Sequence, residues 1–135
     1  MEKIVGLDTV VFIYLFEGDG LYGKRAERLF NEVEQGKKHA VFSCLGLIEL
    51  LTGPKRRGRN DLAMQYKRFI ANFPHLTITG LNENIVDTAS DLRAKYNIST
   101  PDAIHLAAAI DAGAERFITN DRRLCRVKEI IVSLL

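Results

Sequence analysis

Tryptophan is absent from the chain, and cysteine (two), proline (three) and histidine (three) are sparse among its 135 residues. Each scarcity narrows the reading. Cys44 and Cys125 lack metal-ligand spacing and follow apolar predicted elements, so they are expected to be buried, reduced thiols. His39, His75 and His105 have no mutual spacing that would build a zinc centre or pair an acid with a base, and core or surface places are expected for all of them. The formal net charge is only +2, too small to hold an anionic partner by bulk charge; local basic clusters or bound metal would have to do so. No apolar stretch approaches the roughly 20 residues of a membrane span. The N-terminus enters Ile4-Val5-Gly6-Leu7 without a signal-peptide pattern. The expectation is a soluble, cytoplasmic protein that does not associate with membranes. With 47% hydrophobic residues and no repeat, linker or low-complexity segment, residues 1–135 are expected to form a single domain with one sizeable core.

What is present is an alternation of apolar strands and helical stripes. Ile4 to Leu7 predicts a buried strand, followed by a helix that Thr9 caps and that Gly18-Asp19-Gly20 breaks. Ala26, Leu29, Phe30 and Val33 share one face of a second helix, closed by Gln35-Gly36-Lys37-Lys38. His39 to Phe42 predicts the second strand, and Ser43 caps a helix that Gly53-Pro54 is expected to stop. Leu62, Tyr66, Phe69, Ile70 and Phe73 recur at helical spacing, as do Ile85, Ala89, Leu92 and Tyr96 after a short strand Leu76 to Thr79. Thr100 as cap and Pro101 at the first helical position open an alanine-rich helix that is apolar nearly all round and therefore buried. Phe117 to Thr119, a basic helical turn and Ile130 to Val132 complete the pattern. Strands alternating with helices argue an α/β fold, a mostly parallel sheet with helices on both faces.

Acids stand out against this apolar frame. Asp8 and Asp121 each end an apolar run, and ligands in open α/β sheets bind beyond the carboxyl ends of such strands. Glu49 interrupts a run of leucine and isoleucine, and Asp102 enters a buried helix, where an ionised group needs a partner. Each has a plain structural account, as an N-cap, an exposed helix position or an Asx turn. If the four converge, each pair of charges near 4 Å repels by roughly 4 kcal/mol at an effective dielectric near 20, so cations belong among them. Oxygen-only ligation points to Mg²⁺ or Mn²⁺ and to metal-assisted attack of water on a phosphodiester. Gly18 to Lys24 has P-loop glycine and lysine spacing, but Arg25 stands where Ser or Thr would ligate Mg²⁺ and the segment follows a helix instead of a strand.

Gly6-Leu7-Asp8-Thr9, Leu47-Ile48-Glu49-Leu50-Leu51, Thr100-Pro101-Asp102-Ala103-Ile104-His105-Leu106-Ala107 and Ile118-Thr119-Asn120-Asp121, in that order, resemble the motifs of PIN-domain ribonucleases, particularly VapC-type toxins of toxin-antitoxin pairs. The resemblance covers essentially the whole chain. It implies a three-layer α/β/α fold and a divalent-metal-dependent endoribonuclease. Asp8, Glu49, Asp102 and Asp121 would hold one or two Mg²⁺ or Mn²⁺ ions, with Thr9, Thr119 and Asn120 in support. It also implies a homodimer and a small cognate antitoxin as partners. Lys55, Arg56, Arg57 and Arg59 follow the Glu49 helix, and Arg122 and Arg123 follow Asp121. These flanking cations are expected either to be solvated or to hold RNA phosphates. Two further readings share the resemblance: an RNA-processing nuclease without antitoxin, and a non-catalytic PIN module that binds RNA or protein.

Overall fold

The computed structural model describes residues 3–135. In chain order the elements are β1 (Lys3–Leu7), α1 (Thr9–Glu17), α2 (Gly20–Glu34), β2 (Lys38–Ser43), α3 (Cys44–Arg56), α4 (Asn60–Asn72), β3 (Leu76–Thr79), α5 (Glu83–Tyr96), α6 (Thr100–Asp111), β4 (Arg116–Thr119), a 3₁₀ turn (Arg122–Arg126) and β5 (Ile131–Leu134). The five strands form one sheet in the order β3-β2-β1-β4-β5, and every neighbouring pair is parallel. The chain builds outward from β1 to β3 on one side, then returns to the other side of β1 to lay down β4 and β5. The gap between the carboxyl ends of β1 and β4 is therefore the topological switch point.

Alternate strand residues face opposite layers. Ile118 packs with Val5, Leu7, Phe12, Phe30, Phe42 and Tyr66 in the core covered by α1 to α4. Phe117 packs with Ile85, Leu92, Leu106 and Ala107 in the core covered by α5 and α6. The result is the expected three-layer α/β/α arrangement. Gly6 allows a close approach between sheet and helix: a Cβ there would strike the Cβ of Ala109. A glycine in β1 facing an alanine in α6 thus sets how near the two elements that carry Asp8 and Asp102 can lie.

Four local expectations are corrected. Helix α3 does not stop at Gly53-Pro54 but runs through to Arg56. Pro54 is buried there, and only Lys55 and Arg56 follow it in the last, incomplete turn. The chain closes that turn with Arg57 and Arg59 N–H groups donating to the Pro54 carbonyl at 3.1 and 2.8 Å. Ser99 caps α6 in place of Thr100, because its hydroxyl reaches the Asp102 N–H at 3.2 Å. Asp8 caps α1 in place of Thr9, whose hydroxyl is used elsewhere. Cys44 is half-buried and Cys125, on the 3₁₀ turn, is exposed instead of buried; both are free thiols. Among the described residues no helix is long and apolar enough to cross a membrane.

Candidate functional site

Asp8 sits at the switch point. Its own N–H donates to the Ile118 carbonyl at 2.9 Å, which ties the end of β1 to β4. Its carboxylate caps α1 by accepting the Thr9 N–H at 2.7 Å, and its other oxygen accepts the Thr119 hydroxyl at 2.6 Å. Thr119 is fully buried, and its Oγ1 also accepts the Asp121 N–H at 3.1 Å. One threonine hydroxyl therefore fixes the carboxylate after β1 relative to the backbone that carries the acid after β4. Burial pushes the Asp8 carboxyl above its usual range and the charge of Asp102 adds to the push. The Thr119 and Thr9 hydrogen bonds and the His105 ring pull the other way.

Glu49 reaches the same region from α3. Its Oε1 accepts the Thr9 hydroxyl at 2.9 Å and lies 2.7 Å from His105 Nε2. A carboxylate offers only acceptors, so Nε2 of His105 is the donor in this contact. The side chain of His105 is 2% exposed and its ring lies nearly parallel to Phe42, at 6.4 Å between centroids. Its Nδ1 is buried without a hydrogen-bond partner among the described residues. Gly46, one turn before Glu49, leaves the space that the Phe42 ring and Thr9 hydroxyl occupy, so α3 lies close against them.

Asp102 occupies the first turn of α6, the positive end of the helix dipole. Its carboxylate has no hydrogen-bond partner among the described residues. Asp121 is held differently: it accepts the Arg123 N–H and Nε at 3.0 Å each, and Nη2 at 2.8 Å. The Arg123 guanidinium holds its carboxyl below the usual range. Asp8, Asp121, Thr119, Asn120 and Arg122 line a cleft of about 510 Å³, together with Val10, Tyr14 and Tyr22. Asp102, Asp121 and Arg123 line a smaller one of about 180 Å³, so Asp121 borders both.

The resemblance implies one site for Asp8, Glu49, Asp102 and Asp121. The structure draws Asp8, Glu49 and Thr9 into one hydrogen-bonded chain and sets Asp8 with Asp121, and Asp121 with Asp102, along adjoining clefts. Among the described residues, no three acidic, histidine or cysteine side chains stand close enough to hold one ion together. The donor chemistry nevertheless fits a hard divalent cation. Mg²⁺ keeps several of its waters and binds through one or two carboxylates plus substrate phosphate, so a tight all-protein cage is not required. Asp8, whose burial opposes its charge, and Asp102, whose carboxylate accepts no hydrogen bond among the described residues, supply negative charge that such an ion would meet.

The basic residues divide. Arg57 pairs with Glu17 at 3.7 Å and Arg59 with Asp61 at 3.1 Å, while Lys55 and Arg56 are exposed. Arg122 lines the larger cleft beside the acids and Arg123 is bound to Asp121. Asn120 donates its amide to the Tyr14 hydroxyl at 3.0 Å. Two features escaped sequence reasoning. His105 was assigned to core or surface packing, yet it lies one turn after Asp102 on the same helix and contacts Glu49; that i, i+3 spacing was the available signal. The Asp121–Arg123 pair was visible as an acid followed two residues later by an arginine.

The family model for the PIN domain matches residues 5–130. Comparison with curated proteins gave no significant match. Among solved structures, a chain of VapBC2 from Rickettsia felis, bound to a promoter DNA fragment, is 18% identical; the match covers 97% of this chain and 98% of that one, with a TM-score of 0.75. DNA-bound VapBC from Salmonella typhimurium matches at 17% identity, 99% and 98% coverage and a TM-score of 0.77. VapC20 from Mycobacterium tuberculosis, a sarcin-ricin loop cleaving toxin, matches at 16% identity, 96% and 99% coverage and a TM-score of 0.71. These likenesses concern the fold. With the switch-point acids in place and the family model spanning nearly its whole length, the chain belongs to the PIN domain family.

Proposed function

We propose that this chain, as a single domain over residues 1–135, is a divalent-metal-dependent endoribonuclease and the toxin of a type II toxin-antitoxin pair. The observation that carries the proposal is the position of Asp8 and Asp121 on one cleft at the switch point, coupled through Thr119, with Asp102 on the adjoining cleft. PIN membership and the likeness to toxins solved as VapBC complexes support it. The same likeness supports a small cognate antitoxin as partner, and we extend it to a homodimer acting in the cytoplasm, where RNA is met.

Asp8, Glu49, Asp102 and Asp121 are the residues that would hold Mg²⁺ or Mn²⁺, and the Thr9 hydroxyl ties Glu49 to the Asp8 side of the group. Such an ion, when bound, lowers the pKa of its water and neutralises phosphate oxygens, so no histidine base is required. The protein's share is positional. Thr119 and Thr9 fix the two Asp8 oxygens, His105 and Thr9 fix Glu49, and Arg122 offers a cation to the RNA backbone at the cleft. Attack by water leaves a 5′-phosphate and a 3′-hydroxyl and does not involve the 2′-hydroxyl. Cleavage of RNA that requires Mg²⁺ or Mn²⁺ and is lost in Asp102→Asn tests this reading.

One observation favours a second reading, a PIN module that binds RNA or protein without cutting it. Arg123 already neutralises Asp121, leaving fewer free carboxylates for metal. Arg123 is 82% exposed, so solvent screens the pair and releasing Asp121 costs little burial. An Arg123→Ala variant that binds Mn²⁺ more tightly and cuts faster supports the nuclease; unchanged, absent cutting in both proteins supports the module.

A further inference from the structure

The larger cleft contains more than acids. Tyr14, in α1, and Tyr22, in α2, stack with ring centroids 5.1 Å apart and planes 19° from parallel, and both rings line the cleft that Asp8 and Asp121 border. The pair is braced from the acid side, because the Asn120 amide donates to the Tyr14 hydroxyl at 3.0 Å. Asn120 is the residue between Thr119, which holds Asp8, and Asp121, so the aromatic stack is referenced to the acids by one short peptide segment. Tyr22 is 40% exposed, although a ring of this size gains by burial. The guanidinium of Arg25 lies 5.8 Å from its centroid, and Arg122 lines the same cleft.

Core packing does not account for this arrangement. The buried aromatics of the same layer are Phe12, Phe30, Phe42 and Tyr66, whereas Tyr14 and Tyr22 stand outside that cluster and face the cleft. A cleft of about 510 Å³ is within the size of a small-molecule site, roughly 300 to 1,000 Å³. Its walls offer an aromatic face, an arginine and two carboxylates, which match a base, a phosphate and the cation that accompanies it. Unpaired bases are held by stacking on aromatic side chains, whereas bases inside a duplex present no free face.

We propose that Tyr22, supported by Tyr14 and Asn120, is a stacking platform for one unpaired nucleobase next to the phosphate that meets the acids. The substrate is then single-stranded RNA or an exposed loop, not a continuous duplex. This deepens the nuclease reading and rests on it for the identity of the ligand, but base stacking itself needs no catalysis.

The test uses five-nucleotide RNAs carrying 2-aminopurine at each position in turn, whose fluorescence is quenched on stacking, in Ca²⁺ buffer with the wild type, Tyr22→Ala and Tyr22→Phe. The expected result is quenching at one position with wild type and with Tyr22→Phe. Loss of that quench and about tenfold weaker binding are expected with Tyr22→Ala. An abasic site at that position should weaken wild-type binding to the same extent and leave Tyr22→Ala unaffected. Equal binding and equal quenching by Tyr22→Ala would overturn the platform, as would failure of the wild type to bind any of the RNAs. The two readings separate in Mg²⁺. RNA that is stacked on Tyr22 but never cut removes the nuclease and keeps the platform, while equal cutting by wild type and Tyr22→Ala without a quench keeps the nuclease and removes the platform.

Discussion

His105 Nε2 lies 2.7 Å from Glu49 Oε1, joining a buried ring on α6 to a half-exposed carboxylate on α3 across 56 residues of sequence. The same oxygen accepts the Thr9 hydroxyl, so Glu49 is oriented from two directions. Side chains that orient a metal-binding carboxylate typically change affinity or activity by about 10- to 100-fold when removed. His105→Phe keeps a ring against Phe42 and deletes the donor; His105→Gln keeps a donor at the Nε2 position. The expected outcome is a loss of cleavage in that range for His105→Phe, with weaker Mn²⁺ binding by calorimetry, and substantial recovery in His105→Gln. Equal Mn²⁺ affinity in all three proteins would limit His105 to packing.

Asp8 makes a prediction about stability. Burial holds its carboxyl above the usual 3.8, so the charged form is disfavoured in the fold relative to the unfolded chain. That cost is absent below 3.8, grows as the pH rises, and is complete above the folded pKa. Asp8→Asn should therefore melt at a higher temperature than wild type at pH 7 without metal, and the gap should close toward pH 3.8. Added Mn²⁺ should raise the melting temperature of the wild type by binding the folded state, and should do so far less for the variant. Equal Mn²⁺ shifts in both would separate Asp8 from the metal.

Gly6 sets the spacing between the elements that carry Asp8 and Asp102. Adding a methyl group there meets the Ala109 Cβ, with the Phe117 ring 3.2 Å away on the same side. Overpacking of this kind costs about 1–3 kcal/mol. Urea unfolding of Gly6→Ala should show that loss, and cleavage should fall further than stability explains because α6 moves away from β1. Ala109→Gly in the same chain should restore activity while retaining about 1 kcal/mol of helix cost.

Acid sensitivity has a local source away from the site. The Tyr96 hydroxyl donates to Glu129 at 2.5 Å and Lys95 pairs with the same carboxylate at 3.4 Å; together they hold Glu129 below its usual 4.5. Its contribution is present above 4.5 and is lost as the pH falls through the lower folded value. Tyr96→Phe should be less stable than wild type at pH 7 in thermal unfolding, by a difference that shrinks below pH 4.5.

The parts of this protein legible in its sequence are those decided by local pattern. Apolar runs ending in Asp8 and Asp121 announced strands whose carboxyl ends carry acids, and the stripe Ala26, Leu29, Phe30, Val33 fixed the buried face of α2. Where two local rules competed, tertiary context chose. Gly53-Pro54 reads as the end of α3, but two more helical residues follow, and burial of the Pro54 ring with closure of the chain on its carbonyl carries the helix to Arg56. Thr100 and Ser99 both suit a cap, and the reach of the Ser99 hydroxyl to the Asp102 N–H settled it. The Glu49–His105 contact was not legible, since nothing local to either residue reports a partner 56 positions away. The pairing of Arg57 with Glu17 likewise depends on how α3 returns toward the end of α1, which no single segment encodes.

The nuclease reading rests on switch-point carboxylates that would hold a divalent cation where water attacks the RNA backbone. The most direct measurement is cleavage of a panel of single-stranded and structured RNAs by the wild type and Asp102→Asn, each with Mg²⁺, with Mn²⁺ and with EDTA. The account predicts cutting by the wild type in either metal, none in EDTA, products with 5′-phosphate and 3′-hydroxyl ends, and loss of cutting in Asp102→Asn. Cutting that persists in EDTA, or that Asp102→Asn retains in full, would contradict it.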